Sequence, residues 1–174
     1  MAVYTKINQK EINIINENFH IDKIKSFKGI KQGIENTNYL LKSKKKKYIL
    51  TIFEKRVLQK EIPFFMKLMD NLNNSKINCP KPLKTKENKY LIKLKNKTAC
   101  IVSFLEGKDK KILNINDCYT VGKTIARMHV VTNKMKLNRK NSMGIKNLKP
   151  LLESIKFKSK KFSNLKVFLN NNLK

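Results

Sequence analysis

The sequence has no tryptophan, three cysteines and three arginines among its 174 residues. The cysteines, Cys79, Cys100 and Cys118, are odd in number and form no C-x-x-C pair, which argues against a metal site or a disulfide framework. No window holds eighteen unbroken apolar residues, so we predict no transmembrane helix. Residues 1–10 contain no apolar run of seven residues, so we expect no secretory signal and a cytoplasmic protein with reduced thiols.

Positive charge is abundant, but nearly all of it is lysine. Lysine and arginine number 40 against 12 acidic residues, which gives a formal net charge of +28. Such a charge is typical of proteins that bind nucleic acid. Phosphate clamps and groove readers, however, favour the planar fork of arginine. We therefore interpret the lysines as a compositionally biased, solvated surface that argues against a nucleic-acid partner, and a small basic RNA-binding protein remains the alternative.

The first two thirds of the chain predict one helix followed by an antiparallel sheet. Asn8 and Glu11 resemble a capping box, and Ile12, Ile15 and Phe19 follow at helical spacing. Glycines punctuate the connection after the first strand, and lysines form the turn after the second. The predicted strands lie at 22–28, 38–42, 48–53, 90–94 and 99–105, with a helix near Pro63 inserted between the third and the fourth.

The last third of the chain predicts helices. Asn116 is the expected cap of a helix whose apolar face includes Val121 and Ile125. Residues 141–150 are predicted as a loop, and 151–157 and 162–173 as further helical segments. The fold class is therefore α+β, with one packed face on a five-stranded antiparallel sheet. This element order is that of the nucleotide-binding lobe of a protein-kinase-like fold, with the lobe at 1–105 and a hinge and the start of an incomplete helical lobe at 106–174.

Several sequence blocks occur in the order found in one enzyme family. They are MAVYT at 1–5, KGIKQGIENTNYLL at 28–41, YILTIFEKR at 48–56, PFFMKLM at 63–69, CPKPL at 79–83, IVSFLEG at 101–107 and VGKTIARMH at 121–129. Over roughly residues 1–150 the chain resembles homoserine kinase of the aminoglycoside-phosphotransferase-like type. The resemblance implies ATP-dependent phosphorylation of the L-homoserine hydroxyl in threonine biosynthesis, with ATP and Mg²⁺ as cofactors and no membrane partner. A phosphotransferase for another small alcohol, such as an aminoglycoside or choline, is a further alternative.

The resemblance also implies where ATP would bind. Gly29 and Gly33, with Asn36 and Thr37 just after them, are expected to form a lid whose backbone N–H groups approach phosphate oxygens. An ordinary hairpin turn is the alternative interpretation of the two glycines. The segment Ser103–Phe104–Leu105 resembles the hinge that holds adenine, although the same residues also suit an ordinary strand core.

The charged partners for the phosphates depart from the general kinase pattern. Thr51 stands where such lobes usually carry a lysine or arginine on the third strand. Lys55 lies on the same side of that strand and is a candidate replacement, with Glu61 as its ion-pair partner. A solvated lysine, and an acid near a helix N-terminus, are the respective alternatives.

The catalytic loop expected from this resemblance is missing. The pattern H-G-D-x-x-x-x-N does not occur, because His20 is followed by Ile-Asp and His129 by Val-Val. After Asp117 the only acid is Glu153, and one carboxylate cannot build a Mg²⁺ site. We therefore expect no catalytic residue and no metal ligand in this chain, a truncated form that is inactive alone, and exposed apolar surface where a second lobe would pack.

Overall fold

The computed structural model describes residues 3–54 and 57–141, and residues 144, 147, 148, 150, 154, 164, 167, 168 and 171. The chain forms two compact units, residues 1–137 and 138–174. The boundary at 105 between a nucleotide-binding lobe and an incomplete second lobe stays a prediction. In the second unit, Asn147, Leu148 and Pro150 are helical where the sequence predicts a loop. Most of the two helical segments predicted after residue 150 lies outside the described residues.

The first unit holds the predicted elements in the predicted order. They are α1 Gln9–Asn18, β1 Ser26–Gly29, β2 Thr37–Lys42, β3 Lys47–Ile52, a 3₁₀ turn at Gln59–Glu61, α2 Ile62–Asn74, β4 Leu91–Leu94, β5 Lys97–Ser103 and α3 Ile115–Asn133. The five strands form one antiparallel sheet in the order β1-β2-β3-β5-β4. The predicted antiparallel sheet with an inserted helix is confirmed, although β1 begins at Ser26 and not at Asp22.

Helix α1 covers one face of the sheet. Its capping box is confirmed, because Asn8 accepts from the Lys10 N–H at 2.8 Å and the Glu11 carboxylate accepts from the Asn8 N–H at 2.7 Å. Ile12 and Ile15 then point into a buried apolar core. The strands supply the rest of this core with alternate side chains, chiefly Tyr39, Leu41, Tyr48, Leu50, Ile52, Ala99 and Ile101.

Helix α2 covers the opposite face, so the prediction of a single packed face is wrong. Ile62 and Met66 of α2 form a second buried cluster with Cys100 and Val102 of β5. Because successive strand residues point to opposite faces, Ala99 and Ile101 pack in the core under α1, whereas Cys100 and Val102 pack in the cluster under α2. Proline at position 63 lies in the first turn of α2, where its missing N–H costs no hydrogen bond.

The N-cap of helix α3 lies two residues before the predicted cap, Asn116. Asn114, and not Asn116, accepts from the Asp117 N–H at 2.9 Å, and Asp117 accepts in return from the Asn114 N–H at 3.0 Å. None of the nineteen residues of α3, all of them described, is buried. The expected apolar exposure is therefore present, with Ile112 and Ile115 each 87% exposed.

No helix in the described part of the chain combines the length and the hydropathy of a bilayer-spanning segment.

Candidate nucleotide-binding site

The glycine loop, residues 30–36, joins the end of β1 to the start of β2. Gly33 has a φ of +104°, a conformation that other residues rarely adopt. Gly29 is constrained by packing, because a Cβ there would lie 2.9 Å from a methyl group of Val3, and its approach to phosphate stays a prediction. The glycine at position 29 thus makes room for the N-terminal segment, and Gly33 is the position where the loop itself requires glycine.

The end of the loop is held by polar side chains. Thr37 is fully buried, and its hydroxyl accepts from the N–H groups of Tyr4 at 2.9 Å and Thr5 at 3.1 Å. The same hydroxyl donates to Glu54 at 2.7 Å. Asn36 accepts from the Glu54 N–H at 3.3 Å. The Thr37 hydroxyl and the Asn36 side chain therefore hold the end of the loop, and the phosphate roles of both residues stay predictions.

Glu54 is the residue at this site that sequence reasoning missed. Its side chain is 8% exposed, and it accepts from the hydroxyls of Thr5 and Thr37 at 2.7 Å and from the ammonium group of Lys97. Burial alone would raise the pKa of this carboxyl, but the hydrogen bonds from Lys97, Thr5 and Thr37 and the Lys97 charge lower it overall. Because Lys97 lies 43 residues away in sequence, no local pattern signals the pair.

The face of the sheet that meets α2 carries a polar row next to the glycine loop. Thr51 lies on this face with Ile49, and its hydroxyl donates to the side-chain oxygen of Asn38 at 2.8 Å. Thr51 therefore occupies the place expected of a cation without supplying a charge. Lys55, its candidate replacement, lies outside the described residues, and Glu61 is the N-cap residue of α2. Their pairing remains a prediction.

An apolar row lies next to the polar one, two residues further from the loop. Leu40 faces Ile49 across β2 and β3, and Ile49 faces Val102 across β3 and β5. Leu40 and Ile49 are half-buried, and Val102 is buried. Sequence reasoning missed these three residues as candidates, although the strand alternation that puts them on the face of Thr51 was available. Ile49 and Val102 also belong to the cluster packed by α2, so the row continues that apolar surface across β2 to Leu40.

The predicted hinge begins where β5 ends. Ser103 is engaged by Lys81, since its N–H donates to the Lys81 carbonyl at 2.8 Å and its hydroxyl accepts from the Lys81 N–H at 2.9 Å. The Lys47 ammonium lies 5.2 Å from the centroid of the Phe104 ring and 2.7 Å from the Glu106 carboxylate. Leu105 is 40% exposed, and its backbone makes no hydrogen bond to another described residue. Both backbone groups of Leu105 are therefore without a partner among the described residues.

Mg²⁺ does not fit the part of the chain that the structure describes. No three His, Cys, Asp or Glu side chains in residues 3–54 and 57–141, or among the scattered described residues beyond them, are close enough to hold a metal ion. Mg²⁺ is usually bound by carboxylates together with substrate phosphates. We therefore assign no chemical step to a metal bound by this chain.

Solved structures with the same fold include a spectinomycin phosphotransferase in complex with ADP and spectinomycin. It shares 18% sequence identity with a TM-score of 0.64, and the match covers 97% of this chain and 54% of that one. A microcompartment-associated aminopropanol kinase matches with a TM-score of 0.58 at 13% identity, over 76% of this chain and 44% of that one. The kinase-like fold expected from the sequence is thereby confirmed.

Curated relatives include two homoserine kinases. That of Paramagnetospirillum magneticum is 38% identical over 90% of this chain and 48% of its own length. That of Parvibaculum lavamentivorans is 36% identical over 88% of this chain and 48% of its own length. The chain thus spans about half the length of these relatives. A family model described as the phosphotransferase enzyme family matches residues 26–161, and the chain belongs to that family.

Proposed function

We propose that this chain provides the nucleotide-binding part of an ATP-dependent homoserine kinase. One observation carries the proposal: the sheet register sets the glycine loop and the hinge at opposite ends of the same strands. Thr37, next to the loop, pairs with Ile52, whereas Leu41 pairs with Tyr48, which in turn pairs with the hinge residue Ser103. Four strand residues span about 13 Å, a distance on the order of an extended nucleotide.

The chemistry of the strand face changes along that span in the order that a nucleotide requires. The apolar row of Leu40, Ile49 and Val102 lies nearer the hinge and suits adenine, with backbone groups of Leu105 for the ring edge. The polar pair Asn38–Thr51 lies nearer the loop. There, backbone N–H groups around Gly33, with Asn36, would meet phosphate oxygens. Lys55 and Glu61 remain our candidates for the cation and its partner.

Homoserine is the proposed acceptor because of the named relatives. The two homoserine kinases are 36–38% identical to this chain, whereas the spectinomycin and aminopropanol enzymes share 13–18%. ATP would supply the phosphoryl group, and the acceptor would be the L-homoserine hydroxyl, which gives O-phospho-L-homoserine. The residues named above would bind and orient the nucleotide. None of them is assigned as the base that receives the hydroxyl proton.

Calorimetric titration of ADP into the purified chain tests the nucleotide site. We expect saturable binding that Leu40→Gln weakens at least about tenfold, because an amide would be desolvated against the ring. Ile14→Gln is the matched control, since Ile14 is 38% exposed on α1 and away from the proposed site. Wild-type chain that binds no ADP, or equal affinities for the two variants, would contradict the proposal.

Binding measurements at increasing salt, on the same purified chain, distinguish nucleotide binding from RNA binding. Electrostatic RNA affinity falls steeply as salt rises. We expect a fluorescent oligouridine to show no more than weak, salt-labile association, and ADP affinity to persist. Tight oligouridine binding with no ADP binding would favour the RNA-binding alternative, which the net charge of +28 keeps open.

We further expect that the chain alone, given ATP and L-homoserine, releases no phosphohomoserine, because its sequence lacks H-G-D-x-x-x-x-N. Detection of the product by mass spectrometry, with an ATP-only reaction as the control, checks this expectation. Sustained turnover would show that another group acts as the base.

A further inference from the structure

Residues 3–5, the N-terminal segment, contact the glycine loop once and also contact the two strand residues that flank it. Val3 fills the space left by the missing side chain of Gly29, where the loop begins. The hydroxyl of Tyr4 donates to the Ile34 carbonyl at 3.0 Å, inside the loop. The N–H groups of Tyr4 and Thr5 donate to the Thr37 hydroxyl, where the loop ends.

The N-terminal segment is itself held in place by hydrogen bonds to the buried side chain of Glu54. The Thr5 hydroxyl donates to the Glu54 carboxylate at 2.7 Å and accepts from the Lys97 ammonium at 2.7 Å. Thr5 is 7% exposed, and Tyr39 donates from its hydroxyl to the Thr5 carbonyl at 3.1 Å. A buried carboxylate with several donors is geometrically demanding, so it holds the segment in one place over the loop.

We propose that Tyr4 and Thr5 are positioning residues that preorganise the glycine loop for nucleotide phosphates, with Glu54 as their anchor. This inference rests on the proposed nucleotide site. Loop ordering costs conformational entropy, and binding is weaker when the ligand must supply that ordering. Contacts at both ends and in the middle of the loop lower that cost before the nucleotide arrives. Neither side chain is assigned a contact with the ligand.

Threonine at position 5 offers a graded test. Thr5→Val keeps the shape and removes the hydroxyl, whereas Thr5→Ser keeps the hydroxyl. Thr85→Val is the matched control, because Thr85 is also 7% exposed and its hydroxyl also accepts a hydrogen bond, from the Lys89 N–H at 3.1 Å. Tyr4→Phe removes only the bond to Ile34 and leaves the carboxylate cluster intact, so the test does not depend on the folding of Thr5→Val.

The readouts are hydrogen exchange of the amides in residues 30–36 and ADP affinity by calorimetry, both on the full chain. We expect Tyr4→Phe to speed exchange in the loop and to weaken ADP binding by about fivefold, the loss expected for one neutral hydrogen bond. Thr5→Val should do both at least as strongly, because the Thr5 hydroxyl bonds to the charged groups of Glu54 and Lys97. Thr5→Ser should restore both values, and Thr85→Val should change neither. This pattern would support the proposal.

Other outcomes separate its failure from that of the nucleotide site. If hydrogen exchange in residues 30–36 is unchanged in both Thr5→Val and Tyr4→Phe, the N-terminal segment does not order the loop, whether or not ADP binds. We call this ordering the tether. Faster exchange with unaltered ADP affinity would overturn the positioning role and leave a purely structural contact. Wild-type chain that binds no ADP would overturn the nucleotide site, and the positioning role with it, while the exchange data would still decide whether the tether exists.

Discussion

Helices α1 and α3 begin in the same way and are packed in opposite ways. Each starts at an asparagine cap, Asn8 or Asn114, with an acid three residues on that bonds back to the cap N–H. Yet α1, of ten residues, buries Ile12 and Ile15, whereas none of the nineteen described residues of α3 is buried. Similar capping chemistry therefore coexists with contrasting amounts of packing.

The difference shows which part of a helix is decided locally. A capping box satisfies backbone N–H groups with side chains three residues apart, so it needs no distant partner. Burial needs a complementary surface, and α1 finds one in Tyr39 and Leu41 on the sheet. Val121 and Ile125, four residues apart on the same face of α3, are 54% and 46% exposed. An apolar face of this kind is typical of surface that another protein element covers.

The largest expected effect comes from matched truncations in the two helices. Ile15 is fully buried and Ile125 is 46% exposed. We expect Ile15→Ala to lower the free energy of unfolding by about 3 kcal/mol, through lost burial and a residual cavity. Ile125→Ala should cost less than about 0.5 kcal/mol, as surface changes usually do. Urea denaturation followed by circular dichroism measures both values, and equal losses would show that α3 is packed in solution.

A second contrast concerns two carboxylates whose pKa values are lowered. Hydrogen bonds from Lys97, Thr5 and Thr37 outweigh the burial of Glu54, and the Asn114 N–H and Lys110 lower the pKa of Asp117. Because Glu54 binds its proton less readily when folded, its contribution to stability is present above the ordinary value of 4.5 and lost as pH falls through the lowered one.

Glu54→Gln should therefore lower the free energy of unfolding at neutral pH by about 2 kcal/mol, and the Tm should fall with it. The gap from wild type should close as the pH falls below 4.5. Asp117→Asn is the control, because its carboxylate stabilises only the start of a helix without buried residues. The Tm of the Asp117→Asn variant should equal that of the wild-type chain at every pH. A Glu54→Gln gap that persists at low pH would show that the charge is not what stabilises the site.

The sequence predicted β2 to β5 well because each is a short run rich in apolar residues, bounded by lysines or turn residues. It failed where contacts between distant residues decide the outcome. Glu54 follows β3 by two residues and Lys97 begins β5, and it is the pairing of β3 with β5 that brings the two side chains together. The purpose of Gly29 likewise depends on Val3, 26 residues earlier, which occupies the space that a side chain at 29 would need. The second packed face of the sheet was missed because the helical pattern of α2 does not show which strand residues it covers, here Cys100 and Val102.

The smallest expected effect tests whether the two caps are equivalent. Asn8→Ala and Asn114→Ala each remove a cap worth about 1 kcal/mol to its helix. In α1 that loss should appear in global stability, because the helix is part of the buried core. In α3 it should appear only as faster hydrogen exchange in the first turn, at an unchanged Tm, because unfolding this end exposes little new apolar surface. A lower Tm for Asn114→Ala would mean that α3 contributes to the cooperative unit, and the contrast with α1 would then lie in the depth of packing and not in its presence.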